Sequence, residues 1–267
     1  MGIVNVTPDS FSDGGRFFGH DQAIDRGLEL AAQGADLLDI GGESTRPYSE
    51  PISADEETRR VLSVVQALVA RLPVPISIDT SKAAVARAAI DAGAEVINDV
   101  TALAGDPDML ALAAESGAGV CLMHMRGTPQ TMQDQPHYDD LIGEIASFLA
   151  GRRDACMAAG IARERIALDP GVGFGKTHGH NVQIMANCYR FHELGCPLLV
   201  GHSRKGFLAK IVGDKQADLT AGTLGASIAL ALQGVQILRV HDVLAVRQAL
   251  AVFEALGGLN GQPLLLP

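Results

Sequence analysis

Eight short apolar runs, each followed by a segment with helical spacing, are the feature that most limits what this chain can fold into. One such segment spans residues 81–92, with Ser81 placed to cap its start and Gly93 to close its end. Parallel strands need crossovers of this kind, because each crossover returns the chain to the same edge of the sheet. The apolar runs, which we predict to be strands, are residues 2–6, 35–40, 75–78, 94–97, 119–123, 165–168, 197–200 and 235–240.

Two architectures accommodate such units, a closed (β/α)8 TIM barrel and an open doubly wound sheet. Nearly every run is followed by a polar residue. In a barrel these strand ends converge on one face, whereas an open sheet would place half of them away from its crevice. We therefore predict an α/β fold in which residues 1–267 form a single TIM-barrel domain with parallel strands. The polar residues are Asn5, Asp39, Asp79, Asn98, His124, Asp169, Ser203 and His241.

Charge and composition limit the binding partners and the cellular compartments that we expect for this chain. The formal net charge is -10, and lysine and arginine form no basic stripe, so nucleic acid is not an expected partner. The four cysteines form no C-x-x-C pair, which suits a reducing cytoplasm. Residues 1–12 lack the features of a signal peptide, and no stretch reaches the roughly 20 apolar residues that span a bilayer. We predict a cytoplasmic protein without a membrane partner.

Two connections are longer than the others and are candidate lids. They are residues 7–20 after the first strand and residues 202–220 after the seventh. Long loops in compact domains are usually functional or disordered. These two carry glycine and charged residues at specific positions and are not low-complexity sequence, which favours a functional role.

Residues 42–47, Gly-Glu-Ser-Thr-Arg-Pro, place hydroxyl and guanidinium groups directly after the second strand. A loop of this composition can bind an anion. Glycine, serine and proline also favour a simple turn before a helix, so this motif alone leaves both interpretations open.

Cationic groups follow the seventh and eighth strands. Arg204 and Lys205 precede an apolar helix start, where an anion is favoured, although two solvated surface cations are the simpler alternative. Arg239 and His241 alternate along one strand and therefore share a face, from which both can grip one phosphate. Asp242 beside them suits a helix cap.

Three acids, Asp39, Asp79 and Asp169, end the second, third and sixth strands. Their carboxylates either hold arginine and backbone amides in place, or accept paired hydrogen bonds from a heterocycle with a 2-amino-pyrimidinone edge. Asn98 offers the donor and the acceptor that would complete such an edge.

The glycine-rich residues 169–176 resemble a phosphate loop only superficially, because the first glycine of the Walker pattern would fall at Pro170. We interpret this stretch as a flexible rim that carries an aromatic residue. The histidines show no zinc-type spacing. A hard cation such as Mg2+ would take phosphate oxygens, waters and the oxygen of Asn5, with Asp13 reaching an aqua ligand.

Five motifs together resemble the dihydropteroate synthase family. They are residues 1–15, 41–47 (GGESTRP), 169–176 (DPGVGFGK), 203–205 (SRK) and 239–242 (RVHD), and they occur in order over nearly the whole chain. The resemblance implies a TIM-barrel transferase of folate biosynthesis. Such an enzyme condenses 6-hydroxymethyl-7,8-dihydropterin pyrophosphate with p-aminobenzoate, and sulfonamides mimic the aminobenzoate. The resemblance also implies Mg2+ as cofactor and a homodimer.

The same resemblance implies roles for individual residues. Asp79, Lys205, Arg239 and Asp13 would be catalytic, and Asn5 would hold the metal. The implied pterin-binding residues are Asp79, Asn98, Met123, Asp169, Lys205 and Arg239. The implied pyrophosphate-binding residues are Asn5, Thr45, Arg46, Arg239 and His241. The implied p-aminobenzoate pocket is Phe11, Thr45, Arg46, Pro47, Phe174, Ser203 and Gly206.

Two residues depart from the family pattern, and two other functions stay open. Gly206 stands where relatives often have serine, and His202 is unusual before Ser203. A methyltetrahydrofolate-corrinoid methyltransferase would share the barrel and its acids, but its methyl donor has no pyrophosphate to grip. A non-catalytic pterin-binding module is the alternative outside the enzymes.

Overall fold

Eight parallel strands alternate with helices through the described part of the chain. The structure is a computed structural model that describes residues 1–7 and 16–261, with the backbone alone for residues 16–18. The strands are β1 (Gly2–Asn5), β2 (Leu38–Gly41), β3 (Ile76–Asp79), β4 (Val96–Asp99), β5 (Gly119–Met123), β6 (Ile166–Asp169), β7 (Leu199–Gly201) and β8 (Ile237–Arg239).

The strands follow one another around a TIM barrel, as predicted. Strands β1 to β6 form one parallel sheet, and β7 pairs with β8. Single parallel bridges join the two groups, Leu168 with Leu198 on one side and Gly2 with Val240 on the other. The ladder is thin at these two seams because β7 and β8 are each only 3 residues long.

Helices follow each strand and cover the outside of the barrel. Among the described residues, none of these helices is long and apolar enough to cross a membrane. The α-helices are α1 (Arg16–Ala32), α2 (Ala54–Val69), α3 (Ala83–Asp91), α4 (Met109–Ser116), α5 (Leu141–Ala158), α6 (His178–Ala186), α7 (Gly206–Val212), α8 (Thr220–Leu232) and α9 (Val243–Ala255).

Several predicted boundaries were wrong for a common physical reason. The apolar residues Ala35, Ala94 and Val235 precede their strands, because their amides bond back to carbonyls of the preceding helix, as in Ala35 to Leu30 at 3.0 Å. Ser81 is not a cap, since α3 begins after Lys82.

The two candidate lids have different outcomes. Residues 202–220 are not a bare loop, because they contain α7. In residues 7–20, α1 already begins at Arg16, and residues 8–15 lie outside the described part of the chain.

The interior of the barrel is layered, and this layering positions the polar strand ends. Met1, Cys121 and Leu199 form a buried apolar cluster against which Leu37, Ala167 and Ile237 pack. Side chains two residues apart on a strand point to the same face. Asp39, Asp169 and Arg239 therefore lie directly above this apolar layer, on the side where TIM barrels build their active sites. Asp169 and Arg239 end β6 and β8, whereas Asp39 was predicted to end the second strand but is followed in β2 by Ile40 and Gly41.

Helices α1 and α2 pack closely at one glycine. A Cβ added to Gly27 would lie 2.6 Å from Cδ1 of Leu68, a fully buried leucine. Gly151 on α5 is exposed, and a Cβ there would meet nothing within 4 Å. Helix propensity alone favours alanine at both positions, so packing decides between them.

We predict opposite effects of alanine at these two helical glycines. Gly151→Ala should raise the free energy of unfolding by about 0.5–1 kcal/mol, because it removes backbone entropy without a clash. Gly27→Ala should lower it by about 1–3 kcal/mol, because Leu68 must leave its rotamer. Urea unfolding followed by circular dichroism measures both, and equal stabilisation by the two substitutions would contradict the packing described here.

Candidate active site

Arg239 lies at the centre of the polar face. Its Nε donates to Oδ2 of Asp39 at 2.6 Å, and its Nη2 donates to Oδ2 of Asp79 at 2.7 Å. Asn98 also donates to Oδ2 of Asp39, at 3.0 Å. These four side chains come from β8, β2, β3 and β4, so one arginine draws the ends of separate strands together. The sequence-based alternative that an acid holds an arginine therefore applies to Asp39.

Burial and neighbouring charges both shift the pKa values of the side chains in this cluster. Burial raises the pKa of Asp79 to about 7, while the neighbouring charge of Arg239 acts in the opposite direction. Burial works against the charge of Arg239, but Asp39 and Asp79 outweigh it and raise the guanidinium pKa. Arg239 is therefore a permanent cation, whereas Asp79 can change its charge near neutral pH.

Lys205 extends from the start of α7 toward the loop after β6. Its Nζ donates to the carbonyl of Val172 and lies 4.8 Å from the centre of the Phe174 ring. Asp169 accepts a hydrogen bond from the amide of Gly171 at 2.7 Å. Burial lowers the pKa of Lys205 to about 8, with the charge of Asp169 opposing it. The cation and the carboxylate thus flank the same buried corner of the barrel mouth.

The two cations of the SRK motif have different environments, so of the two alternatives left open by the sequence the surface cation applies to Arg204. The Arg204 side chain is exposed and pairs with Asp242 at 2.5 and 3.0 Å. Asp242 begins α9 without capping it by a side-chain hydrogen bond, so its role is to hold Arg204. Lys205 alone of this pair points into the site.

His241 lies beside Ser203 at the end of β8. Its Nδ1 is 3.1 Å from Ser203 Oγ, and its amide donates to the same oxygen at 3.2 Å. Burial, followed by the charges of Arg204 and Arg239, lowers the pKa of His241 to about 4. Without a bound anion, burial and the two arginines thus favour the neutral imidazole, which can share a hydrogen bond with a phosphate.

The loop after β2 is fixed by a buried ion-pair network that the sequence did not reveal. Lys82 Nζ contacts Glu43 at 2.9 Å and the fully buried Glu57 at 2.6 Å. Arg60 donates to the carbonyl of Gly42 at 3.0 Å. This anchoring holds Thr45 half-buried.

A cavity of about 240 Å³ lies beside this loop, and both Thr45 and Asp79 line it. Arg46 and Pro47 are exposed next to Thr45. The loop thus brings one of its three predicted ligand-binding residues to the cavity that a strand-end carboxylate also lines, and it leaves the other two exposed.

Comparison with known proteins agrees with this architecture. Residues 1–241 match the model of the family described as pterin binding enzyme. Dihydropteroate synthase of Escherichia coli strain K12 is 44% identical over 96% of this chain and 90% of its own length. The chain belongs to the dihydropteroate synthase family.

Two solved structures of the same family show how closely the fold is shared. Xanthomonas albilineans dihydropteroate synthase with 4-aminobenzoic acid is 47% identical, with a TM-score of 0.89 over 96% of this chain and 92% of that one. The same enzyme in complex with 7,8-dihydropteroate is 45% identical, with a TM-score of 0.87 and the same coverage.

Several described residues with roles implied by the family lie at the carboxyl ends of strands or in the loops that follow them. Asn5 ends β1, and Met123 ends β5 in register with Asp169. Gly206 is the first residue of α7, directly after Lys205. The family residues Phe11 and Asp13 lie outside the described part of the chain.

Other residues near the site have a structural role or were missed. His202 is buried, and its Nε2 lies 2.8 Å from Ser227 Oγ, which explains its presence as packing behind Ser203. Lys176 is a buried lysine within residues 169–176, the stretch that the sequence predicts to be a flexible rim. Within residues 1–7 and 16–261, no three histidine, cysteine or acidic side chains cluster as metal ligands.

We predict that Arg239 is worth far more to stability than an exposed arginine. Arg239→Met leaves two carboxylates without their cation and should lower the free energy of unfolding by about 3–5 kcal/mol. Arg247→Met removes an exposed pair with Asp36 at 3.1 Å and should cost about 0–1 kcal/mol. Guanidinium unfolding at neutral pH measures both.

A double variant separates the lost pair from the lost packing. Asp39→Asn combined with Arg239→Met should cost less than the two single changes added together, because the double variant removes one of the two carboxylates that Arg239→Met leaves without a cation. Strict additivity would show that the pair is not coupled.

Proposed function

We propose that this chain condenses 6-hydroxymethyl-7,8-dihydropterin pyrophosphate with p-aminobenzoate to give 7,8-dihydropteroate and pyrophosphate. The single observation that carries the proposal is the ring of Asp79, Asn98, Asp169, Lys205 and Arg239 at the barrel mouth of a chain in this family. The structures of the Xanthomonas albilineans enzyme with 4-aminobenzoic acid and with 7,8-dihydropteroate support the substrate and the product.

The buried corner around Asp169 suits the pterin. A carboxylate can accept two parallel hydrogen bonds from a 2-amino-pyrimidinone edge, and Asn98 offers both a donor and an acceptor beside it. Lys205 supplies a donor from the opposite loop, and Met123 provides an apolar surface for the flat ring. We assign pterin binding to these residues together with Asp79.

We assign Arg239 and His241 to binding of the leaving pyrophosphate. The guanidinium is a permanent cation, so it stabilises negative charge as the C–O bond breaks. It is already paired with Asp39 and Asp79, so the phosphate must compete with or displace part of that pairing. Neutral His241, Asn5, Thr45 and Arg46 would add hydrogen bonds and charge around the same group.

A magnesium ion fits the donors at this face only if phosphate oxygens complete its shell. Asn5 at the end of β1 supplies a neutral oxygen, and Mg2+ usually takes one or two protein ligands with waters and phosphate. When bound, the ion would neutralise part of the pyrophosphate charge. We propose Asn5 as its ligand in this chain, with Asp13 contacting a bound water.

The reaction then needs positioning more than proton transfer. The C–O bond to pyrophosphate breaks first, the electron-rich pterin stabilises the methylene cation, and Asp79 supports it with negative charge when ionised. The free aromatic amine attacks this carbon, forms the C–N bond and releases its proton to solvent. We assign no general base.

The aminobenzoate pocket would be built from the rims of three loops. Thr45, Arg46 and Pro47 approach from the β2 loop, and Phe174 approaches from the β6 loop. Ser203 and Gly206 lie at the β7 loop, where Gly206 leaves its backbone amide as the donor in place of a serine hydroxyl. Phe11 would complete the pocket.

We predict that pyrophosphate release requires the pterin substrate, p-aminobenzoate and Mg2+ together. Adding EDTA should reduce release to background, and omitting the amine should stop continued turnover, because the methylene cation then lacks its nucleophile. Lys205→Ala and Asp169→Ala should lower kcat/KM for the pterin substrate on the order of 100-fold, whereas exposed Lys215→Ala should not change it.

Two results would support the alternative functions instead. Calorimetric binding of the pterin without any turnover would indicate a binding module. Cobalamin-dependent demethylation of a methylated folate would indicate a methyltransferase.

Phe11→Ala should mainly raise KM for p-aminobenzoate.

We also propose a homodimer formed through the late helices of the barrel. Ile211 and Val212 on α7, Leu232 on α8 and Val252 on α9 are each more than half exposed, which is unfavourable for apolar side chains on a free surface. Light scattering should give twice the chain mass. Ile211→Asp should yield a monomer, and Met157→Asp on α5 should not. A monomeric wild type would refute the proposal.

A reducing cytoplasm is our proposed compartment. The four cysteines Cys121, Cys156, Cys188 and Cys196 are all unpaired and buried. Reduced thiols of this kind pack as small apolar side chains. Cell fractionation tests the assignment, and recovery from the periplasm would overturn it.

A further inference from the structure

The loop after β6 is pressed onto the segment that follows β5. Gly171 and Gly175 both have positive φ, at 70° and 65°. A Cβ on Gly171 would collide with the carbonyl oxygen of His124, and a Cβ on Gly175 would collide with the backbone of Arg126. Glycine is required at both positions by the backbone conformation and by this contact. The two loops therefore fit together as one surface.

A buried lysine fastens the two loops from within. Lys176 is 2% exposed, and its Nζ lies 2.8 Å from the carbonyl oxygen of Phe174. The same nitrogen lies 3.1 Å from the carbonyl oxygen of His124 and 2.9 Å from Nδ1 of the His124 ring. All three partners are uncharged. One amine thus joins the loop after β6 to the end of β5.

The protonation states suit this arrangement. Burial lowers the pKa of Lys176 well below its ordinary value, while the charge of Asp169 opposes the change. Burial, then the charge of Lys176, lowers the pKa of His124 to about 3. The imidazole is neutral, so its Nδ1 can accept a hydrogen bond from the amine.

Hydrogen bonds on the outer side fix the same loop. The hydroxyl of Tyr138 donates to the carbonyl of Gly175 at 2.8 Å, and Gln133 donates to the carbonyl of Gly173 at 2.9 Å. Asn181 of α6 accepts from the amide of Gly173 at 2.7 Å. Side chains from both flanking elements therefore hold residues 173–175 in place.

This loop positions groups that face the proposed pterin site. Asp169 precedes it, the carbonyl of Val172 accepts from Lys205, and the ring of Phe174 lies under the Lys205 ammonium. We propose that Lys176, assisted by Tyr138, is a positioning residue that sets the geometry of Asp169, Lys205 and Phe174 for the pterin substrate. The inference rests on the proposed function above. Because Lys176 is buried and its amine is held by His124 and Phe174, we assign it no direct contact with substrate.

Conservative variants with matched controls test the proposal. Lys176→Met keeps an unbranched side chain one atom shorter and removes the amine, and Lys215→Met is its exposed control. Tyr138→Phe keeps the ring and removes the hydroxyl, and Tyr189→Phe, 55% exposed, is its control. Gly175→Ala disturbs the same contact independently. Its control is Gly117→Ala, with φ 75° and nothing within 4 Å of the added Cβ.

We predict a loss of kcat/KM for the pterin substrate of roughly 10- to 100-fold in Lys176→Met and Gly175→Ala, measured well below the melting temperature of each variant. Tyr138→Phe should show a smaller loss in the same direction, and the three controls should stay within about twofold of wild type. A lower melting temperature with unchanged kcat/KM would show that Lys176 only stabilises the core, and the proposal would fail.

Hydrogen exchange without substrate separates this proposal from the proposed function. Amides 171–176 should exchange at least about tenfold faster in Lys176→Met than in Lys215→Met, with the strands unchanged. Unchanged exchange in the loop, or a uniform rise over the whole barrel, would overturn the positioning role. An inactive wild type would refute only the proposed function. Hydrogen exchange needs no substrate, so it would still test whether Lys176 holds the loop in place.

Discussion

The pairing of Arg239 with Asp39 and Asp79 is the interaction on which the rest of the site depends. A carboxylate as deeply buried as Asp39 is costly unless a cation and further donors meet it, and Arg239 and Asn98 do so here. Because the partners come from four different strands, meeting this electrostatic requirement also brings the strand ends together. The face proposed to bind a flat, anionic substrate is therefore the same face on which buried carboxylates require a cationic partner.

Much of the architecture was predictable because parallel barrels leave a strong periodic signal. Apolar runs alternating with helices predicted the eight strands, and polar residues after the runs predicted the face where Asp79, Asn98 and Asp169 lie. The boundaries failed at Ala35 and Ala94, where an apolar residue closes a helix instead of starting a strand. Burial alone cannot distinguish these two uses of an apolar side chain.

The site residues that were missed have partners far away in the chain. Lys82 meets Glu43 and Glu57 in a network that no spacing rule encodes, and Lys176 has carbonyl oxygens as partners. A lysine in a polar, glycine-rich stretch reads as a surface residue until the fold shows what covers it. Arg204 and Lys205 illustrate the converse, since adjacent identical charges turn to opposite sides of one backbone bend.

At one of the two places where the barrel ladder is thin, Arg239 also contributes to holding the barrel wall together. Strand β8 is joined to β1 by a single bridge, yet Arg239 reaches past β1 to Asp39 on β2. This side-chain hydrogen bond therefore links β8 to β2 at the point where only one backbone bridge joins β8 to β1. The same guanidinium group therefore belongs both to the proposed anion site and to the contacts that hold β8 to the rest of the wall.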